Sequence, residues 1–156
     1  MFLSFDRPED RPNTLLWLST QITVGYLILI PIMIYFFTFG YGDLILIPIL
    51  VNGIGDGLAE PVGVRFGRKK YKTYAIFSKI TYERTVEGSA CVFFASIIVI
   101  IFFQSGFTSS EFIPVIIIFP IVMTLAEAFA PHTWDTPFLF LFGYLTIYIV
   151  KIMPFV

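Results

Sequence analysis

The chain has 156 residues, of which 57% are hydrophobic and 13% charged, and its mean hydropathy is +0.86. A soluble globular domain has roughly 45–50% apolar and about 25% charged residues, so this composition excludes an ordinary soluble domain. Ten Lys and Arg nearly balance eleven Asp and Glu. The one cysteine, Cys91, excludes an intramolecular disulfide, and the one histidine, His132, argues against a zinc site.

Long apolar runs predict an all-α integral membrane protein that forms a single membrane domain over residues 1–156. Residues 1–14 are a charged N-terminal segment without the basic start of a secretory signal. Because one crossing takes roughly 20 residues, we predict about five transmembrane helices. In chain order they run from Leu15 to Phe39, Leu44 to Val64, Val86 to Phe103, Phe112 to Phe129 and Phe138 to Phe155. The second becomes rich in glycine after Val51, and we expect it to break at its cytoplasmic end.

The loop between the second and third predicted helices, residues 65–85, is strongly basic. It contains seven of the ten Lys and Arg of the chain: Arg65, Arg68, Lys69, Lys70, Lys72, Lys79 and Arg84. Since cytoplasmic loops carry an excess of Lys and Arg, this loop is predicted to be cytoplasmic. Counting the crossings outward then places the N-terminus in the cytoplasm and the C-terminus on the opposite side. Lys151 is the basic residue that falls near the outer end, and we expect its amine to snorkel to the interface.

Carboxylates within or at the ends of the predicted helices are the informative residues, because a charge at the membrane centre costs about 2.5–3.5 kcal/mol. Four acids lie in such positions: Asp56, Glu60, Glu87 and Glu127. A fifth acid, Asp135, follows Glu127 closely in the sequence. The predicted topology places all of them on the cytoplasmic side, next to the basic loop. Acids that hold Mg²⁺ beside cations that neutralise phosphate oxygens are what a metal-bound polyphosphate requires. The basic loop alone is equally consistent with an anchor to anionic lipids. A single acid within a helix is also consistent with a buried ion pair.

Three ordered blocks of residues carry a family resemblance. The first, from Asn52 to Lys69, contains the pattern GDGxAxxxGxxFG, and the second, from Arg84 to Ser89, resembles KTxEGS. The third, Thr124 to Ala128 followed by Asp135 to Pro137, resembles E...DNxxxP. Together they resemble the polyprenol kinase family, which includes phytol kinase and dolichol kinase and is related to membrane CTP:phosphatidate cytidylyltransferases. Arg84 stands where many relatives have Lys, and Thr136 replaces the usual Asn.

The resemblance implies a CTP-dependent lipid kinase. Such an enzyme transfers the γ-phosphate of CTP, or of another nucleoside triphosphate, to a long-chain isoprenoid alcohol such as phytol, farnesol or dolichol, or to diacylglycerol. Mg²⁺ is the expected cofactor. The predicted catalytic residues are Asp56, Glu87 and Asp135, and the predicted metal ligands are Asp56, Glu60, Glu87 and Glu127. The predicted nucleotide-binding residues are Asn52, Gly55, Gly57, Arg65, Arg68, Lys69, Lys70, Arg84 and Ser89.

Two alternative functions stay open. A CTP:phosphatidate cytidylyltransferase-type enzyme would use a similar acidic site but attack the α-phosphorus. A small ion-coupled membrane transporter would use intramembrane acids to relay protons or bind cations. The expected partners are a lipid alcohol and a nucleotide but no nucleic acid, and homo-oligomerisation is left open. The expected location is an inner, plasma or plastid membrane, with the site on the cytoplasmic or stromal face.

Overall fold

The computed structural model describes residues 14–75, 78–131 and 134–153, without the side chains of residues 75 and 78–80. The α-helices in this part of the chain are α1 (Thr14–Thr38), α2 (Leu46–Leu50), α3 (Gly57–Phe66), α4 (Val86–Phe102), α5 (Ser109–Phe129) and α6 (Asp135–Ile152). Short 3-10 turns, Gly42–Leu44 and Gln104–Gly106, precede α2 and α5. Two strands, β1 (Lys70–Ala75) and β2 (Ser78–Thr85), form an antiparallel hairpin between α3 and α4. His132, the one histidine, lies outside the described residues, and so do residues 1–13 and 154–156.

The second apolar segment is one helical stretch of 25 residues, Gly42–Phe66. Between α2 and α3 the residues Val51–Asp56 form a π-helix. Regular α-helical geometry is therefore interrupted after Leu50, close to the predicted position, but the glycine-rich segment widens its turns and the helical stretch continues to Phe66. π-helical turns inside α-helices occur often at functional sites, since the wider turn changes the direction of the side chains that follow.

Four helical stretches of the described chain are long and apolar enough to cross a membrane: Thr14–Thr38, Gly42–Phe66, Ser109–Phe129 and Asp135–Ile152. The remaining long helix, α4, is equally apolar but has 17 residues. Large apolar side chains point away from the bundle, including Leu27 and Ile98, which are each 67% exposed. Such a surface is unfavourable in water and favourable in lipid. The prediction of a helical membrane protein is confirmed at this level.

The helices pack in an order that differs from their order along the chain. α6 contacts both α1 and α5, α5 contacts α4, and α4 contacts α3 and the π-helix. Tyr144 of α6 is buried at the centre, where its hydroxyl donates a hydrogen bond of 2.7 Å to the carbonyl oxygen of Ile45. The ring of Phe36 on α1 packs edge-on against it, with 5.4 Å between ring centroids. This polar bond ties α6 to the start of the second helical stretch inside an apolar core.

The basic segment was predicted as a loop, and most of it is regular structure instead. α3 continues to Phe66, and the hairpin follows with Tyr71 opposite Arg84 and Thr73 opposite Tyr82. Side chains alternate along β1: Lys70 and Lys72 are exposed, whereas Tyr71 and Thr73 are shielded. Aromatic and β-branched residues at every second position favour a strand with one covered face. The hairpin therefore exposes lysines on one face and places a tyrosine and an arginine on the other.

Lys151 lies at the end of the bundle opposite the hairpin and is held inside the protein. Its amine donates hydrogen bonds of 2.8 Å to the Glu111 carboxylate and of 2.8 Å to the carbonyl oxygen of Gly106. Only 11% of its side chain is exposed, and its charge lies 5.2 Å from the ring centroid of Phe107. The expected snorkelling to water is thus replaced by a link between α6 and the start of α5.

Replacing Lys151 with methionine is expected to destabilise the protein by about 2 kcal/mol. The substitution keeps the apolar stem but leaves the mostly buried Glu111 carboxylate without its cation, and hydrogen bonds to charged groups contribute about 1.5–3 kcal/mol. Unfolding in detergent micelles measures the effect, with Lys72→Met as the matched control because Lys72 is exposed on β1. Equal stability of the two variants would contradict the role of Lys151.

Candidate functional site

Most of the predicted site residues lie at one end of the bundle, where α3 and α5 end and α4 and α6 begin. Asn52, Gly55, Asp56 and Gly57 lie further into the bundle, before or at the start of α3, which is about 15 Å long. The hairpin is attached to this end: the amide of Val86, the first residue of α4, donates a hydrogen bond of 2.9 Å to the carbonyl oxygen of Lys69. We call this the hairpin end. The structure divides the predicted residues there into two groups, one on α3 and the start of α4, and the other around Arg84.

Glycines allow α3 and α4 to pack backbone to backbone. A Cβ atom on Gly88 would lie 2.7 Å from the carbonyl oxygen of Ala59, and one on Gly63 would lie 2.6 Å from the hydroxyl of Thr85. One turn further along, a Cβ on Gly55 would lie 3.1 Å from the Cα of Val92. The predicted nucleotide-binding residue Gly55 is accordingly buried in this contact. The antiparallel pairing therefore places Glu60 of α3 level with Glu87 of α4, and Asp56 one turn further along, level with Cys91.

A second set of glycines has no packing role in the described structure. Cβ atoms on Gly53 and Gly57 would meet no atom within 4 Å, and both residues are exposed. Asn52 and Asp56 beside them are half-buried, and Glu60 is exposed. We call these five residues the open acidic face. Glycine lets a ligand approach the backbone closely, and the two exposed glycines leave room for one on this face.

Glu87 occupies the first turn of α4, where the helix dipole favours a negative charge. The helix is capped by Thr85, whose hydroxyl accepts a hydrogen bond of 3.1 Å from the amide of Gly88. The amide of Lys69 donates a bond of 3.4 Å to the Glu87 carboxylate. Glu87 is therefore held beside the basic residues that follow α3.

Arg84 lies at the base of the hairpin and binds the ends of two other helices. Its guanidinium donates to the carboxylate and the carbonyl oxygen of Glu127, to the carboxylate of Asp135, and at 3.4 Å to the carbonyl oxygen of Ala130. Burial disfavours the charged form of Arg84, but the carboxylates of Asp135 and Glu127 outweigh it, so the pKa of Arg84 is raised. We call Arg84, Glu127 and Asp135 the Arg84 cluster.

The Arg84 cluster changes two predictions. Arg84 was expected to bind the triphosphate and Glu127 to hold the metal, but here they bind each other. Only 14% of the Arg84 side chain and 5% of the Glu127 side chain are exposed. The second carboxylate oxygen of Glu127 is buried and has no hydrogen-bond partner among the described residues. The ion pair with Arg84 therefore compensates the burial of Glu127, and it would have to open before either residue could contact a ligand.

Tyr71 is a residue of this region that the sequence predictions missed. Its hydroxyl and that of Ser89 lie 2.6 Å apart, which links β1 to α4. Burial raises the pKa of Tyr71, so the phenol stays protonated. Ser89, predicted to bind nucleotide, is buried in this contact. The alternation of lysines with Tyr71 and Thr73 was the signal that could have revealed a covered strand face.

The remaining predicted cations are exposed at the hairpin end: Arg65, Arg68, Lys69 and Lys70. Lys70 forms an ion pair of 2.9 Å with Glu83, and both side chains are more than half exposed. Arg65 lies over the ring of Phe66, 5.5 Å from its centroid. Exposed ion pairs of this kind contribute little to stability, so these cations can exchange their contacts for those of a phosphate at small cost.

The predicted Mg²⁺ ligands do not form one cluster. Among the described residues, no three His, Cys, Asp or Glu come together as a group that could hold a metal ion. Asp56 and Glu60 lie on the open acidic face, Glu87 lies on α4, and Glu127 binds Arg84. Mg²⁺ in nucleotide sites usually takes one or two carboxylates and completes its shell with phosphates and water. Asp56 with one further acid fits that mode, whereas a site made by the protein alone does not fit.

Comparison with known proteins gives no relatives for this chain. No family model matches it, and no curated protein and no solved structure matches it either. The family resemblance of the three sequence blocks therefore stays a prediction, and the function is argued from the site itself.

Proposed function

We propose that the protein is a membrane lipid kinase that transfers the γ-phosphate of CTP, or of another nucleoside triphosphate, to a lipid hydroxyl. The acceptor would be a long-chain isoprenoid alcohol such as phytol, farnesol or dolichol, or diacylglycerol. The observation that supports this most is the open acidic face, which precedes the exposed cations of the hairpin end in the same part of an apolar helix bundle. Lipid alcohols dissolve in the bilayer and nucleotides in water, so their reaction needs polar groups at such a boundary.

The residues divide the work of phosphoryl transfer between them. Arg68, Lys69 and the other exposed cations bind and neutralise the phosphates. Asp56, with Glu60 or Glu87, would hold Mg²⁺ on the triphosphate, and the metal would neutralise charge on the transferred group. Phosphoryl transfer requires mainly positioning and charge stabilisation, so this set of groups is sufficient in kind.

The proposed orientation follows from the charges. The hairpin end holds the exposed cations, and positively charged segments favour the cytoplasmic side. We therefore place the N-terminus and the hairpin end in the cytoplasm, or the stroma of a plastid, with about five crossings. An inner or plasma membrane and a plastid membrane are both compatible with this arrangement. α4, with 17 residues, would cross the membrane as the shortest of the described long helices.

A labelled-nucleotide assay tests the proposal directly. The purified protein is incubated with Mg²⁺ and CTP labelled at either the α or the γ phosphate, together with phytol, farnesol, dolichol, diacylglycerol or phosphatidic acid. Label from the γ position in the lipid product supports the kinase. Label from the α position would instead identify a cytidylyltransferase, whose acidic site would be similar. UTP and ATP in parallel reactions determine which base the donor carries.

A small ion-coupled transporter is the alternative of a different class. Intramembrane acids that bind ions in transporters lie near the middle of the bilayer, on discontinuous helices. Here Glu127 and Asp135 are occupied by Arg84 at one end of the bundle, and Lys151 is paired with Glu111 at the other. These ion pairs lie at the two ends of the bundle rather than near its middle, which favours the enzyme.

A further inference from the structure

Arg84 connects three parts of the hairpin end that are distant in the sequence. Its guanidinium binds the last turn of α5 through Glu127, the connection after α5 through the carbonyl of Ala130, and the first residue of α6, Asp135. A planar guanidinium suits this task because its donors point in fixed directions and can bind several acceptors at once. It also satisfies a carbonyl at the end of α5 that has no partner within the helix.

The position of Arg84 is itself fixed by the hairpin. Arg84 lies opposite Tyr71 in the antiparallel register, and the Tyr71 hydroxyl contacts Ser89 on α4. The chain of contacts therefore runs from α4 through both strands to Asp135. Exposure distinguishes the two carboxylates that Arg84 binds, because 20% of the Asp135 side chain is exposed but only 5% of the Glu127 side chain. Asp135 is the carboxylate that a substrate could reach.

We propose that Arg84 is a positioning residue that holds the Asp135 carboxylate where it receives the proton of the acceptor hydroxyl. This inference rests on the lipid kinase function proposed above. Arg84 forms an ion pair with Glu127 as well, so its positive charge interacts with two carboxylates rather than with Asp135 alone. Nη1 and Nη2 of Arg84 both donate to acceptors of the protein, which leaves phosphate binding to the exposed cations.

The reaction step balances with these groups. The O–H bond of the lipid alcohol breaks, its proton moves to the Asp135 carboxylate, and its oxygen forms a bond to the γ-phosphorus. The bond between the γ-phosphorus and the bridging oxygen breaks, and the nucleoside diphosphate leaves with that electron pair. Asp135 later returns the proton to water. A general base must lie within hydrogen-bond reach of the proton that it accepts, which is why its position matters.

A double-mutant cycle tests the assignment with the full-length protein, γ-labelled CTP and the acceptor that the wild type uses. Arg84→Gln is expected to lower kcat about a hundredfold, the usual cost of a misplaced catalytic group, with the KM for nucleotide changed by no more than about twofold. Arg84→Lys keeps the charge, so its kcat is expected to be about tenfold higher than that of Arg84→Gln. In an Asp135→Asn background, Arg84→Gln is expected to have no further effect, because Arg84 acts through Asp135.

Glu83→Gln is the matched control, since it removes an ion pair from the neighbouring, exposed position of the same strand. If Arg84→Gln does not fold, as judged by gel filtration in detergent, the same cycle is run with Arg84→Lys. A rise in the KM for nucleotide with kcat unchanged, or additive effects of the two substitutions, would overturn the inference while leaving the kinase intact. Absence of lipid phosphorylation by the wild type would overturn the proposed function and the inference together.

Discussion

Asp56→Asn is expected to lower the rate of lipid phosphorylation about a thousandfold, the upper range for loss of one group that stabilises transition-state charge. Asp56 is half-buried on the open acidic face, between Gly53 and Gly57, which leave room for a phosphate. The asparagine amide has nearly the same shape as the carboxylate but no charge to hold Mg²⁺ on the triphosphate. Transfer of γ-label from CTP to the lipid measures the effect, and gel filtration in detergent verifies the fold.

Asp43→Asn is the matched control for this prediction. Asp43 is an exposed acid of the same helical stretch but lies at its opposite end, near the start of α2. It is expected to retain full activity, because it is remote from the hairpin end. Glu87→Gln is expected to reduce activity in the same direction as Asp56→Asn. Full activity of both the Asp56 and the Glu87 variants would refute the proposed metal site.

The helices could be predicted from the sequence because their signal is local. A long apolar run is nearly sufficient to define a membrane helix, and the first predicted helix, from Leu15 to Phe39, differs by one residue at each end from α1. The hairpin was missed because its dense charges dominate the composition of residues 65–85. Its strand signal, the alternation of Lys70 and Lys72 with Tyr71 and Thr73, is short and weak beside that charge.

The partners of the candidate site residues could not be predicted, because they depend on contacts between distant segments. Arg84 and Glu127 are 43 residues apart, and nothing local to either one indicates that they form an ion pair. The glycines of the first sequence block show the same limit. Gly63 packs against Thr85 whereas Gly57 faces open space, although both belong to one motif. Only the packing of α3 on α4 separates glycines that serve the fold from glycines that leave room for a ligand.

Gly88→Ala is expected to destabilise the protein by about 3 kcal/mol, near the upper end of the cost of overpacking a core. The added methyl would lie 2.7 Å from the carbonyl oxygen of Ala59 and 3.0 Å from the hydroxyl of Thr85, which caps α4. The obstructing carbonyl belongs to helix backbone, so relief requires α3 and α4 to separate. Their separation would also move Glu87 away from Glu60, and lipid phosphorylation is expected to fall with stability.

Gly53→Ala is the control, because the same methyl group would meet no atom within 4 Å in the described structure. In a helical segment, alanine is more favourable than glycine by roughly 0.5–1 kcal/mol, so this variant is expected to fold at least as stably as the wild type. Thermal unfolding of both variants in the same detergent compares them. Similar destabilisation by both would mean that helix propensity, rather than the contact with Ala59, determines the effect. A stable Gly53→Ala protein beside a destabilised Gly88→Ala protein would support the division of the glycines into a packing set and an open set.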